Sequence, residues 1–192
     1  MTVAETSLIL ASASPRRREL LAQCGLAFTV VPAQIDETRL VEESASAYVR
    51  RVAADKAAAV WQEHPGAFVL GSDTAVVLDA QVLGKPADAE QARGMLAALS
   101  GREHEVLSAV VLACPDGRRL ERLSATRVEF VCLPQAWIED YAASGEGSDK
   151  AGAYGIQNQA GLWIRRIDGS YTGVVGLPLF ETAELLREAG LL

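Results

Sequence analysis

The sequence predicts an α/β fold, a single domain over residues 1–192 in which helices flank one sheet. A chain of 192 residues suits one compact unit, or two small lobes that share a sheet, with a substantial buried core. Short apolar runs alternate with segments whose apolar residues recur at helical spacing. Two consecutive alternating runs, 104–114 and 120–132, also predict an antiparallel pair of strands.

The first predicted element is a strand at residues 8–10 that passes through a turn into a helix. Ser14 suits the N-cap position, and Pro15 suits the first helical position. Three arginines follow at residues 16–18, where the helix dipole ordinarily favours acidic side chains. An anion held by free N–H groups, the hydroxyls of Ser12 and Ser14 and the guanidinium groups would explain them. The alternative is an arginine-rich corner exposed to solvent.

The next elements are a predicted strand at residues 28–31 and a polar connection at residues 32–40. The connection contains two acidic residues, Asp36 and Glu37, and we note it for that reason. Its sequence does not decide which of the two carboxylates faces a functional site.

Residues 46–61 have apolar side chains at helical spacing and predict a helix that ends before His64. The more polar sides of this helix carry Arg50, Arg51 and Lys56. Such charges ordinarily form a solvated face, and this is our interpretation of Arg50 and Arg51.

The apolar run at residues 68–78 is interrupted by a polar step at residues 71–74. It predicts one strand with a polar centre, or two short strands that meet there. A buried Asp73 would be costly without a partner, so we expect it to meet a metal ion, a cation or a proton donor. The alternative is an Asp73 that caps a turn beside Gly71.

The remaining chain predicts four further strands and three helices. Asp79 and Ala80 turn the chain into a strand at 81–83, and Asp88 caps a helix that ends near residue 99. The antiparallel pair follows, then a helix at residues 134–144 and a charged, glycine-rich functional loop at 145–155 with Asp149 and Lys150. A strand is predicted from Leu162 towards Asp168, residues 174–176 return to the core, and Pro178 begins the last helix.

Composition excludes several classes of protein. Hydrophobic residues make up 49% and charged residues 22%, as in ordinary globular proteins, and the net charge of -7 argues against nucleic acid or an anionic membrane as a partner. No apolar stretch approaches the roughly 20 residues that span a bilayer. The N-terminus has no Lys or Arg before Arg16, so we expect a cytoplasmic protein without a secretory signal. The three cysteines lack a C-x-x-C pair and predict buried, reduced thiols.

Several chemistries lack their motifs. The two histidines belong to no zinc motif, and the chain has no G-x-S-x-G elbow, dinucleotide-binding fingerprint or P-loop. Acidic and basic candidates remain: Asp36, Glu37, Asp73, Arg16, Arg17, Lys56 and Lys85. Carboxylates that hold a divalent metal and cations that hold phosphates are the groups needed for attack on a phosphoanhydride.

These residues occur in motifs that resemble the Maf family of nucleoside triphosphate pyrophosphatases, also known as septum-formation inhibitors. The resemblance covers nearly the whole chain. Its motifs are Leu8-Ile9-Leu10-Ala11-Ser12-Ala13-Ser14-Pro15-Arg16-Arg17, Ile35-Asp36-Glu37, Lys56, Gly71-Ser72-Asp73-Thr74, Gly84-Lys85-Pro86, Asp149-Lys150-Ala151-Gly152-Ala153-Tyr154-Gly155-Ile156-Gln157 and Val175-Gly176-Leu177-Pro178. The resemblance implies a mixed twisted sheet and two lobes with a central cleft, similar to the inosine triphosphate pyrophosphatases.

Within that family, Arg16, Thr74 and Gln157 match the branch that hydrolyses dTTP and UTP to the monophosphate and pyrophosphate. The resemblance implies that Asp73 is the catalytic proton acceptor and that a divalent cation, Mg²⁺ or Mn²⁺, is the cofactor. We take Glu37 as a candidate metal ligand together with Asp73. The implied substrate-binding residues are Ser12, Arg16, Arg17, Lys56, Thr74, Lys85 and Gln157.

Two other functions stay open at this point. One is a nucleotide-binding regulator of septum formation without significant turnover, and the other is a 7-methyl-GTP pyrophosphatase, which only a few side chains disfavour. The removal of modified pyrimidine nucleotides, a link to cell-division arrest and a homodimeric state are further expectations that the sequence does not decide.

Overall fold

In a computed structural model, residues 7–192 are described, and they form a mixed sheet of seven strands with helices on both faces. The strands are β1 (Leu8–Leu10), β2 (Thr29–Val30), β3 (Phe68–Leu78), β4 (Gln81–Leu83), β5 (Glu103–Ala113), β6 (Arg119–Phe130) and β7 (Ile164–Asp168). The helices are α1 (Pro15–Ala22), α2 (Ala45–Glu63), α3 (Ala89–Leu99), α4 (Gln135–Ser144), α5 (Tyr171–Val175) and α6 (Leu179–Glu188). The α/β prediction is therefore confirmed.

The sheet has the order β2-β1-β3-β5-β6-β7, and β4 pairs with β3 outside this path. β1 runs parallel to β2 and β3, whereas the other pairs are antiparallel. The chain thus moves from β1 to β2 on one side and then to β3 on the other. In open α/β sheets, ligands bind beyond the carboxyl ends of the strands at such a switch of direction.

Two apolar cores lie on opposite faces of the sheet, because neighbouring residues of a strand point to opposite sides. Leu8 and Leu10 belong to the larger core, which also takes Leu21 of α1, whereas Ile9 belongs to the smaller core under α2. Helices α1 and α2 therefore cover opposite faces and leave the ends of β1, β2 and β3 between them.

Several sequence predictions need correction. Leu162 and Trp163 were expected in a strand, but they lie in a 3₁₀ turn, Gln159–Trp163, and Leu162 is 83% exposed. The apolar side chain of Leu162 is therefore not part of the core, and β7 begins only at Ile164. Cys132 was predicted to be buried, but it is exposed because it lies beyond the end of β6. All three cysteines are free, as predicted.

The expectation that the N-terminus is no secretory signal falls partly on residues 1–6, outside the described residues. Among residues 7–192, no helix has the length and apolar character needed to cross a bilayer.

Candidate active site

Three segments meet beyond the carboxyl end of β1. β1 leads directly into the Ser12 turn, β2 leads into the connection with Glu37, and β3 continues past its last pairing with β1 at Leu70. The part of β3 that extends beyond its pairing with β1 contains Asp73 and Thr74. The topology therefore brings together residues that are far apart in the sequence.

Asp73 lies in the middle of a continuous strand, so the alternative that it caps a turn is wrong. Its Oδ1 accepts a hydrogen bond from Nζ of Lys56 at 2.9 Å, and both side chains are 8% exposed. The same ammonium group lies 3.1 Å from Oε1 of Glu37. The expectation that Asp73 meets a cation is confirmed, and one buried ammonium joins two carboxylates.

Gly71 permits this contact because it lets α2 approach β3 closely. A Cβ atom at Gly71 would lie 2.3 Å from the carbonyl oxygen of Ala53 and 2.8 Å from the backbone nitrogen of Ala57. Gly71 and Asp73 face the same side of the strand, two residues apart. The absent side chain at Gly71 therefore brings Lys56 within reach of Asp73.

The connection after β2 separates the two acids that the sequence left undecided. Asp36 accepts a hydrogen bond from the backbone N–H of Thr38 at 2.8 Å, and Thr38 lowers the pKa of Asp36 through its side-chain and backbone hydrogen bonds. Glu37 instead reaches Lys56. Glu37 is thus the acid beside Asp73, and Asp36 shapes the loop.

The two neighbouring arginines of α2 differ from each other. Arg50 pairs with Glu121 and is 44% exposed, which agrees with a solvated position. Arg51 was also predicted to be solvated, and this is wrong: its side chain is 26% exposed and forms a two-pronged ion pair with Glu43. Glu43 lies outside the helix, so helical spacing could not reveal this pair.

The turn after β1 has the predicted capping geometry. The side chain of Ser14 accepts from the backbone N–H of Arg17 at 3.4 Å, and Ser12 Oγ accepts from the backbone N–H of Ser14 at 3.1 Å. Nε of Arg17 donates to the carbonyl oxygen of Gly176 at 2.8 Å, which leaves the guanidinium group beside the cleft. Burial lowers the pKa of Arg17, while Asp73 and Glu37 raise it.

Gly176, which belongs to one of the motifs, has a role that the sequence does not indicate. Its carbonyl oxygen also accepts hydrogen bonds from Ser72 Oγ at 3.2 Å and Thr74 Oγ1 at 3.4 Å. A backbone carbonyl gives no side-chain signal in a sequence. The contact fixes Arg17 and Thr74 relative to each other beside the middle of β3.

Arg16 reaches across the cleft to the glycine-rich loop. Its Nη1 lies 3.2 Å from Oδ2 of Asp149, and Asp149 also pairs with Lys150 at 2.6 Å. The loop was predicted to be functional, but its contact with Arg16 was not. The side chains of Lys85 and Gln157 are exposed, and within the described residues 7–192 neither forms a hydrogen bond or ion pair with another residue.

One cleft of about 790 Å³ collects every residue that the sequence nominated. Its lining includes Ser12, Arg16, Arg17, Glu37, Lys56, Asp73, Thr74, Lys85 and Gln157. Tyr48 also lines it and was not anticipated, although it lies two helical turns before Lys56 on the same face of α2.

Two acidic residues of the cleft, Glu37 and Asp73, are close enough together to be compared with the ligands of a divalent metal ion. Among residues 7–192, no three His, Cys, Asp or Glu side chains form a cluster that could hold a metal alone. Glu37 and Asp73 nevertheless converge on one ammonium group. Mg²⁺ is commonly held by one or two carboxylates, with water and substrate phosphates as its other ligands, so this pair fits such an ion.

The fold and cleft define an α/β protein whose cleft, lined by arginines, lysines and carboxylates, lies at the switch of strand direction. The chain belongs to the Maf-like protein family, whose model matches residues 7–189. The resemblance noted in the sequence is confirmed.

Similar proteins include a dTTP/UTP pyrophosphatase of Myxococcus xanthus (strain DK1622), which is 54% identical over 100% of this chain and 96% of the relative. Another is a dTTP/UTP pyrophosphatase of Bordetella pertussis (strain Tohama I), which is 55% identical over 96% of this chain and 93% of the relative. Among solved structures, the Ham1 protein of Staphylococcus aureus aligns with a TM-score of 0.47 and 13% identity, over 65% of this chain and 72% of that chain.

Proposed function

We propose that this chain is an enzyme that hydrolyses dTTP and UTP to the monophosphate and pyrophosphate. The observation that carries the proposal is the buried pair of Lys56 and Asp73, joined by the more exposed Glu37, at the wall of a cleft whose other wall is the Arg17 turn. Two relatives that are more than half identical over nearly the whole chain have this activity in their names.

In this proposal Asp73 accepts a proton from the attacking water. The water oxygen forms a bond to the α-phosphorus, the bond from that phosphorus to the bridging oxygen breaks, and pyrophosphate leaves with the electron pair. Phosphates that enter the cleft compete with Asp73 for the ammonium group of Lys56. Asp73 is then free to orient the water, while Lys56 stabilises negative charge.

Arg17 and Lys85 complete the neutralisation of the triphosphate. Arg17 is held in place by Gly176, whereas Lys85 projects from the connection after β4 into the same cleft. Fixed cations stabilise the charge that develops on the leaving pyrophosphate, which is the main requirement of such transfers.

Glu37 and Asp73 would hold the Mg²⁺ or Mn²⁺ ion in this proposal. When bound, the ion supplies positive charge at phosphate oxygens and makes a water molecule more acidic. Two carboxylates fill only part of the coordination shell of such an ion. Water and the phosphates of the substrate would provide its other ligands.

Arg16, Thr74 and Gln157 are the proposed residues of the base side. The amide of Gln157 has a free donor and a free acceptor, which can pair with a carbonyl group and the N3–H group of a pyrimidine. Ser12 is proposed to bind phosphate beside Arg17, because its hydroxyl lies 3.5 Å from a guanidinium nitrogen.

A substrate panel tests the proposal. Purified protein is given dTTP, UTP, GTP, CTP and 7-methyl-GTP with Mg²⁺ or Mn²⁺, and pyrophosphate release is measured. We expect the highest rates with dTTP and UTP. Equal rates with UTP and 7-methyl-GTP would refute the pyrimidine assignment, and nucleotide binding without release of pyrophosphate would favour a regulator of septum formation.

The proposal also includes three properties that concern the protein in the cell: a cytoplasmic location, a homodimeric state and an effect on cell division. Light scattering of the purified protein measures the oligomeric state. Cell fractionation and the cell-length distribution of a deletion strain measure the other two.

A further inference from the structure

We infer that Arg51 is a positioning residue that holds the loop carrying Glu37 against α2. The inference rests on the proposed function, because it assigns a purpose to the place of Glu37 beside Asp73. Arg51 itself does not line the cleft.

Arg51 contacts two points of the loop between β2 and α2, Thr38 and Glu43. Its Nε and Nη2 lie 2.7 Å and 3.0 Å from the two carboxylate oxygens of Glu43. Nη2 also donates to the carbonyl oxygen of Thr38 at 3.0 Å, one residue after Glu37. A planar guanidinium group can make these contacts together, whereas a lysine cannot.

Glu43, held by Arg51, also forms hydrogen bonds with other residues of the loop. Its Oε2 accepts a hydrogen bond from the backbone N–H of Leu40 at 3.0 Å, and its carbonyl oxygen accepts from Nε of Arg39 at 2.9 Å. The carboxylate is 8% exposed, so the pair with Arg51 is shielded from solvent on one side. Arg51 lowers the pKa of Glu43, and Glu43 raises the pKa of Arg51, so both stay charged.

Arg51 also connects this loop to α2, the helix that carries Lys56. Arg51 and Lys56 belong to the same rigid element, α2, and the guanidinium carbon of Arg51 lies 5.8 Å from the ring centroid of Tyr48. The loop has no regular secondary structure between β2 and α2. The Arg51 contacts therefore hold Thr38, the residue after Glu37, against the helix that carries Lys56.

The test compares Arg51→Gln with the unmodified protein. We expect trypsin to cleave after Arg39 at least ~10-fold faster, because local release exposes the loop. We also expect the Mn²⁺ concentration for half-maximal binding, measured from the electron spin resonance of free Mn²⁺, to rise about 10-fold, as for other groups that orient metal ligands. The turnover number at saturating Mn²⁺ should be recovered, since no reacting group is removed.

Arg50→Gln is the matched control, because Arg50 is the neighbouring residue and pairs with Glu121 of β6 instead. It should leave trypsin cleavage and Mn²⁺ binding unchanged. Arg51→Lys should restore only part of the protection from trypsin and of the Mn²⁺ affinity. Lysine keeps the positive charge but cannot make the bidentate contact with Glu43.

The inference is overturned by unchanged cleavage after Arg39 in Arg51→Gln, by unchanged Mn²⁺ affinity in that variant, or by the same changes in Arg50→Gln. Absence of Mn²⁺ binding by the unmodified protein also overturns it. The proposed function fails separately, when the unmodified protein releases no pyrophosphate from dTTP or UTP.

Discussion

The ammonium group of Lys56 lies 2.9 Å from the carboxylate of Asp73, and both residues are buried at the wall of the cleft. A buried pair of this kind is strongly destabilised when only one partner is removed. Glu37 provides Lys56 with a second carboxylate at 3.1 Å. The site can therefore lose the charge of Asp73 without leaving Lys56 unpaired.

Asp73→Asn should reduce turnover by roughly 10² or more, the scale for loss of a positioned base. Nucleotide binding should persist, because Lys56, Arg17 and Lys85 are retained. Pyrophosphate release and nucleotide titration measure the two quantities. Near-normal turnover in this variant would exclude Asp73 as the proton acceptor.

Arg17→Ala should weaken binding of all nucleoside triphosphates by about 1.5–3 kcal/mol, the range for a charge-assisted hydrogen bond. The effect should be the same for each base, since phosphate contacts contain no base information. Arg18→Ala is the control, because Arg18 is exposed and does not line the cleft. An affinity loss limited to one nucleotide would contradict the assignment.

Gln157→Glu should lower UTP turnover much more than it changes inhibition by pyrophosphate. The carboxylate replaces the two amide donors with acceptors and leaves the pyrimidine edge unpaired. The melting temperature should stay the same, because the exposed Gln157 side chain makes no hydrogen bond with another residue among residues 7–192. If turnover, inhibition and melting temperature fall together, Gln157 has a structural role instead.

Gly71→Ala should destabilise the protein by about 1–3 kcal/mol, the usual cost of overpacking. The new Cβ atom would meet the backbone of α2, which cannot move without also moving Lys56 from Asp73. Gly94→Ala is the matched control, because a Cβ at Gly94 meets nothing within 4 Å and alanine favours the helix. Denaturant unfolding should show a loss in the first variant and a gain of up to about 1 kcal/mol in the second.

His104 predicts a pH dependence of stability. Burial lowers its pKa from 6.5 to about 4 in the folded protein. Between these values the unfolded chain binds the proton more readily, so stability falls as the pH decreases from about 6.5 to 4. The contribution is at most roughly 3.5 kcal/mol, from about 1.4 kcal/mol per pKa unit.

His104→Gln removes this titration, and its stability should fall less steeply over the same range. Urea unfolding at several pH values measures both slopes. Equal slopes for the two proteins would show that His104 does not contribute.

The sequence by itself predicted most elements, and the site residues that it nominated line one cleft. The Ser14 cap, the Pro15 start and the alternating strands are local features, so residues close in the chain encode them. Motif resemblance supplied the family, and the single cleft that collects residues from Ser12 to Gln157 agrees with it.

Tertiary structure alone decided the contacts between distant segments. Glu37 rather than Asp36 reaches Lys56, Arg51 forms an ion pair with Glu43 of the preceding loop, and the carbonyl oxygen of Gly176 holds Arg17. None of these has a local signature, because a loop can direct either acid inward and a backbone carbonyl is the same in every residue. Only the order of β2, β1 and β3, with helices on opposite faces, brings those segments to one end of the sheet.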